Sequence, residues 1–117
     1  MTNGLPAPDR GEVWLVDLDP IVGREQGLTR WSVVVSDRNF NQGPADLVTI
    51  VPATRTLRPI RWRVRVQPPE GGFTDESDIL VEQVRTVSKL RLKQHFGHVS
   101  SHTMTEIEDR LRMLLGL

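Results

Sequence analysis

The sequence predicts a mainly β domain closed by one C-terminal helix. Short apolar runs recur along the chain, each bounded by Gly, Pro, Asn or Asp, the punctuation of strands joined by turns. Only the last segment, SSHTMTEIEDRLRMLLGL, repeats its apolar residues at helical spacing. No internal repeat or low-complexity stretch breaks this pattern. Glu12 to Leu18 reads as the first strand, with Val13, Leu15 and Asp17 alternating with Trp14, Val16 and Leu18. Asp19-Pro20 breaks it into a loop containing Gly23 and Gly27. Trp31 to Ser36 is the second strand, a continuous apolar run of the buried type. Asp37 to Ala45 must turn, with a helical turn near Arg38–Asn41. Asp46 to Ala53 is the third strand, Thr54 to Pro59 a loop, and Trp62 to Gln67 a fourth strand. Pro68 to Asp75, with paired Pro and paired Gly, is a long connection to a fifth strand at Ile79 to Val87. Ser88 caps a short helical turn over 88–92, and Gln94 to Val99 is a sixth strand. Ser100 caps the final helix, whose Met104, Ile107, Leu111 and Leu114 pack on the sheet. Glu106 and Glu108 lie near its start and Arg110 and Arg112 towards its end, as the helix dipole favours.

A chain of 117 residues makes one domain with room for a real core. The expected division is a flexible polar tail over 1–9, with no secretory character, and a folded domain over 10–117. No apolar run is long enough to span a membrane. The absence of cysteine excludes disulfides and thiolate metal sites and suits a reducing cytoplasm.

The formal net charge is zero, which argues against nucleic-acid binding by bulk charge alone. The distribution is more telling. Thirteen of the fifteen cations are arginine, and five of them, Arg55, Arg58, Arg61, Arg63 and Arg65, fall close together. Acids gather instead at Asp75, Glu76, Asp78 and Glu82, and again at Glu106, Glu108 and Asp109. Arginine offers a planar fork to phosphate and a flat face to bases. Arg61, Arg63 and Arg65 alternate as on a strand and are as compatible with a solvated face. Arg55 and Arg58, in a loop, are better placed for contact.

The most informative stretch runs from Gly11 to Arg30. Its loop holds Arg24, Glu25, Gln26 and Arg30, and Trp31 follows at once. An acid, an amide and two arginines between two well-defined strands suit an anion, and phosphate is the commonest one.

RGEVWLVDLDP at 10–20, GREQG at 23–27 followed by TR at 29–30, SVVVS at 32–36, VPAT at 51–54 and EQVRTVSKLRL at 82–92 together resemble the MazF/PemK-like toxin family. The C-terminal segment matches the family's last helix, and the resemblance covers about residues 10–117 in order. It implies a small SH3-like β-barrel with short helices, assembled as a two-fold homodimer. It implies a type II toxin that cleaves single-stranded RNA without a metal or cofactor, leaving a cyclic phosphate and a 5′-hydroxyl. Arg30 takes the place of the arginine held to be catalytic, Thr54 that of the threonine assisting it, and Glu25 that of a glutamate affecting activity. Glu82 matches a position where some relatives carry an aspartate proposed as base. Substrate contact is expected from Arg24, Gln26, Trp31, Arg55, Arg58, Glu82 and Gln83. The implied partner besides RNA is an antitoxin with an acidic, partly disordered segment, which would compete for a groove made positive by the arginine loops.

The residue types suit that chemistry. A 2′-hydroxyl must lose a proton, a pentacoordinate phosphate must be stabilised, and the leaving 5′-oxygen must gain a proton. Arg30 supplies fixed cationic donors, Thr54 a neutral donor, and Glu25 or Glu82 an acceptor or an orienting group for Arg30. A free guanidine is a poor acid near neutral pH, so the electrostatic role of Arg30 is the firmer one. The other role open to Arg30 is a salt bridge to Glu25, and to Thr54 a turn-forming one. His95, His98 and His102 lie apart from the arginine loops and read as surface or structural residues. The family usually carries proline where this chain has Trp31, which either stacks on a base or fills core or interface. The alternative function is a gyrase-poisoning, CcdB-like binding toxin without nuclease activity. A family member that has lost activity is the blander reading.

Overall fold

The computed structural model describes residues 7–20 and 22–117; residues 1–6 of the expected tail, and Ile21, lie outside the described residues. The strands are β1 (Glu12–Asp17), β2 (Thr29–Val34), β3 (Leu47–Thr54), β4 (Arg63–Val66), β5 (Ser77–Leu80), β6 (Arg85–Ser88) and β7 (Leu92–His98). The helices are α1 (Arg38–Asn41) and α2 (Ser101–Leu115), with single 3-10 turns at Glu70–Gly72, Val81–Gln83 and Lys89–Arg91. All pairings are antiparallel, in the order β4-β5-β3-β2-β1-β7, and β6 also pairs with β3. The expected mainly β fold with short helices and a C-terminal helix is thus the one observed. The expected barrel, however, is not closed: among the described residues no ladder joins β7 to β4 or β6, so the sheet stays open.

The continuous apolar run of the second strand reflects burial on both faces. Val33 and Val35 join Val13, Val51 and Ala53 in one cluster, while Val34 joins Val16, Leu18, Val48 and Ile50 in another. Successive residues of β1, β2 and β3 therefore feed two cores on opposite sides of the sheet. Helix α2 covers the first, burying Met104 and Ile107 with Leu111 packed alongside. Ser100 accepts a hydrogen bond from the Thr103 amide at its N-terminus, and Glu70 accepts one from the Ser100 amide at 2.9 Å. Burial pushes the Glu70 carboxyl up, but hydrogen bonds from Thr103 and Ser100 outweigh it and hold the group below its ordinary value.

The expected fifth strand is broken in two. Along β3, Ala53 faces Ile79 and Ile50 faces Arg85, so three steps on β3 span six on the partner chain. The Val81–Gln83 turn takes up the surplus and lets the chain pass from β5 to β6 along one edge of β3. The second strand also lies two residues earlier than expected, and the third one residue later. As a result Arg30 lies inside β2, and Thr54 is the last residue of β3.

A second device is the approach of the 71–72 turn to β7. A Cβ on Gly97 would lie 2.7 Å from the Gly71 carbonyl carbon, and one on Gly72, at φ +81°, 2.7 Å from the Phe96 oxygen. Only glycine permits backbones this close. Before β1, Pro8 accepts from the Asn41 side chain at 2.7 Å, and Asp9 pairs with Arg38. No helix among the described residues is long and apolar enough to cross a membrane.

Candidate active site

Arg30 is delivered by a loop closed at its base. The Leu18 amide donates to the Leu28 carbonyl at 2.8 Å, and the Leu28 amide to the Asp19 carboxylate at 2.7 Å. Arg91 donates to the carbonyls of Asp17 and Asp19 from outside. These bonds hold Leu28 at φ +60°, a left-handed conformation that β-carbon sterics disfavour. Thr29 and Arg30 then enter β2 opposite Asp17 and Val16. The Arg30 side chain is half-buried, and its Nε donates to the Gly27 carbonyl at 3.2 Å. Among the described residues no carboxylate pairs with it, so the salt bridge to Glu25 does not form.

Strand pairing brings Thr54 to the same place. Ser32 faces Pro52, and continuing that register by two residues sets Arg30 against Thr54. Across β3, Thr54 faces Asp78, which faces Arg65 on β4. Arg30, Thr54, Asp78 and Arg65 thus fall in one row across four strands.

At this end of the sheet a cavity of about 300 Å³ is lined by Leu15, Thr29, Arg30, Trp31, Ala53 and Thr54 from β1–β3, and by Arg55, Phe73, Thr74, Asp75 and Ser77. It therefore gathers Arg30, Thr54, Trp31 and Arg55 of the expected residues. Trp31 stacks on Phe96 with ring centroids 3.7 Å apart and leans on Phe73 at 5.2 Å, so part of it belongs to the core. Sequence reasoning missed Thr29, Phe73, Thr74, Asp75 and Ser77. Their position after a Pro- and Gly-rich connection was the available signal.

The other expected residues stand outside this lining. Glu25 is exposed and accepts from the Val22 amide at 2.9 Å within its own loop. Arg24 is exposed and Gln26 half-buried in that loop. Arg58 has its amide bound to Asp78 and its side chain in solvent. Glu82, on the Val81–Gln83 turn beside Gln83, pairs with Arg63 at 2.9 Å.

The acids and arginines that look segregated along the chain are interleaved in space. The β4–β5 hairpin sets Asp78 on Arg65 and brings Glu82 to Arg63, while Arg55 reaches Asp75 at 3.6 Å. The groove is not purely positive as expected, because Asp75 lies in it. Burial pushes the Asp78 carboxyl up, but Arg65 and the Arg58 amide more than compensate and hold it below its ordinary value of 3.8. The histidines lie off the cavity: His95 stacks on Trp14, and His102 pairs with Glu106 at 2.8 Å.

Residues 9–115 match the family model described as PemK-like, MazF-like toxin of type II toxin–antitoxin system. The chain belongs to this PemK/MazF-like toxin family. It is 32% identical over 109 residues to the endoribonuclease EndoA of Bacillus subtilis (strain 168), covering 92% of this chain and 94% of that one. Its fold is similar to that of MazF from Deinococcus radiodurans, with a TM-score of 0.85 over 96% of this chain and 99% of that one at 23% identity. It is also similar to a mycobacterial endoribonuclease in complex with its cognate antitoxin, with a TM-score of 0.78 and 27% identity over 95% and 97% of the two chains. The PemK/MazF-like match spans every element from β1 to the end of α2.

Proposed function

We propose that this toxin is a metal-independent endoribonuclease whose active site is the cavity of Arg30 and Thr54. The observation that carries the reading is the convergence of these two side chains, from separate motifs, in one cavity sized for a small ligand. The relative EndoA, an endoribonuclease by name, favours a nuclease over a gyrase poison.

Single-stranded RNA lays a phosphate between the two donors. Arg30 neutralises the charge that builds on the phosphate oxygens as the 2′-hydroxyl attacks, and its Nε bond to Gly27 fixes the plane of the fork. Thr54 donates to a phosphate oxygen without adding a charge. Glu25, in the loop that carries Arg30, takes the 2′-hydroxyl proton or orients Arg30 once RNA draws its carboxylate from the Val22 amide. As the 2′-oxygen bonds to phosphorus the P–O5′ bond breaks and the leaving 5′-oxygen takes a proton from water, so the products are a 2′,3′-cyclic phosphate and a 5′-hydroxyl. Arg24, Gln26, Arg55 and Arg58 hold the strand on either side, and Glu82 and Gln83 contact it beyond the cavity. The folded toxin domain spans 10–117 after a short tail. The chain acts in the cytoplasm as a homodimer, and an antitoxin with an acidic segment blocks the groove.

Incubation with a long RNA in excess EDTA, followed by end mapping, tests the reading. Wild type should cut to 5′-hydroxyl ends and Arg30→Ala should not, while both keep the same fold by circular dichroism. Full cleavage by Arg30→Ala, or cleavage that needs added Mg²⁺, would refute the mechanism.

A further inference from the structure

Asp75 is chemically out of place in a cavity proposed to take a phosphate. Its carboxylate offers only acceptors and repels the phosphate oxygens that Arg30 and Arg55 attract. It is also a poor fit for a general base, because a base tuned for proton transfer near neutral pH is normally desolvated, and the Asp75 side chain is 56% exposed. A carboxylate in such a place needs a donor on the ligand.

Resting on the ribonuclease reading above, we infer that Asp75 reads a nucleobase flanking the scissile phosphate and selects guanine. The cavity of about 300 Å³ has room for one base beside its phosphate. Trp31 and Phe73 line it, and Trp31 is fixed by its stack on Phe96, so a base meets an aromatic surface that does not have to be ordered on binding. Beside that surface stands Asp75, held by its neighbours: the Thr74 hydroxyl donates to its Oδ2 at 3.2 Å and the Ser77 hydroxyl to its backbone carbonyl at 3.0 Å, which leaves both carboxylate oxygens with lone pairs for a ligand.

The chemistry of the four bases then decides. Guanine alone presents two adjacent donors, N1–H and the N2 amino group, and a carboxylate accepts both at once. Adenine and cytosine each set one amino group beside a ring-nitrogen acceptor, and uracil flanks one N–H with two carbonyls. Each of these three puts a lone pair against a carboxylate oxygen. Arg55 explains how Asp75 is kept ready. The two groups are 3.6 Å apart, and both are largely exposed, with Arg55 at 80%. An ion pair this wet opens at little cost. On binding, Arg55 moves to a phosphate and frees the carboxylate for the base.

Two readouts test the inference, one by cutting and one by binding. In the first, a randomised single-stranded RNA is digested in EDTA by wild type and by Asp75→Asn, and the ends are sequenced. Guanine should be enriched at one position beside the cut, by about five- to hundredfold for a bidentate edge contact. Asp75→Asn should lose most of that bias while still cutting RNA. In the second, fluorescence anisotropy measures binding of a short RNA made uncuttable by a 2′-deoxy sugar at the cut site. Replacing its guanine with inosine, which lacks the N2 amino group, should weaken binding to wild type about fivefold or more and leave Asp75→Asn unaffected. Cleavage with no guanine bias would overturn the inference, as would a bias indifferent to Asp75→Asn. Equal loss of cutting at every site with Asp75→Asn would make the residue part of the proton chemistry instead, and would overturn it too. A wild-type chain that prefers guanine in binding but never cuts would sink the ribonuclease reading and leave the base contact standing.

Discussion

Asp78→Asn is the substitution that asks most of this structure. The Asp78 side chain is 2% exposed and accepts from Arg65 Nε at 2.9 Å, Arg65 Nη2 at 3.4 Å and the Arg58 amide at 2.8 Å. Hydrogen bonds to a charged group are worth about 1.5–3 kcal/mol each, and breaking a buried pair from one side costs about 3–5 kcal/mol. Asparagine keeps the shape and one acceptor but turns an N–H₂ towards a donor. Arg65 is 44% exposed and regains water, which trims the loss. The expected cost is about 2 kcal/mol, or roughly 8 °C in Tm for a domain of this size.

The pH dependence provides the control. The Asp78 carboxyl is held below its ordinary 3.8 in the folded chain, so its contribution is complete above that value. It is lost as pH falls through the lower folded-state value. The stability gap between wild type and Asp78→Asn, followed by tryptophan fluorescence in a urea series, should be flat from about pH 8 to pH 5 and close below about pH 4. A gap under about 0.5 kcal/mol at neutral pH, or one undiminished near pH 2, would refute the assignment of a charged, buried anchor. Because Asp78 holds the Arg58 backbone and faces Thr54, single-turnover cleavage by the folded variant should fall as well.

Arg30→Lys should recover little of the cleavage lost in Arg30→Ala, because a point charge cannot reproduce a planar fork fixed through Nε, and rate measurement under single-turnover conditions decides it. Gly97→Ala should cost about 2–3 kcal/mol in chemical denaturation, since its Cβ meets the Gly71 backbone at 2.7–2.8 Å and backbone cannot yield as a side chain does; wild-type stability would contradict the close approach. Light scattering at micromolar concentration should give a dimer, with Leu28 at 65%, Leu90 at 66% and Leu115 at 59% exposure available for burial; a monomer that cuts RNA at full rate would count against it.

Elements that rest on local chemistry were legible from the sequence. Ser88 and Ser100 cap the turns they were expected to cap, Asp37 caps α1 at Arg38–Asn41, and the Met104, Ile107 and Leu111 stripe is the buried face of α2. Each depends on residues three or four apart, and the spacing carries the information. The break at Val81–Gln83 was not legible in the same way. Its cause is β3, which pairs with β2 on one edge and must accept both β5 and β6 on the other. Apolar residues continue on both sides of the corner, and only Glu82 and Gln83 interrupt them, which a half-exposed strand would tolerate equally well.

The site divides along the same line. Arg30 and Thr54 were expected from the motifs around them, and strand register explains why they share a cavity: a ladder fixed by the buried Val33 and Val51 leaves their side chains at one end of the sheet. Asp75 had no such motif. Along the chain it belongs to an acidic run, and an acidic run reads as something kept away from arginines. Folding reverses that. The β4–β5 hairpin returns the acids of 75–82 onto the arginines of 55–65, so most of those charges cancel in pairs. Arg30 is left as the cavity arginine without a carboxylate partner among the described residues. Neutrality of the whole chain and a cationic cavity are therefore compatible, because of the arginines at 55–65 only Arg55 lines the cavity beside Arg30, and its exposed bond to Asp75 is one a ligand can exchange.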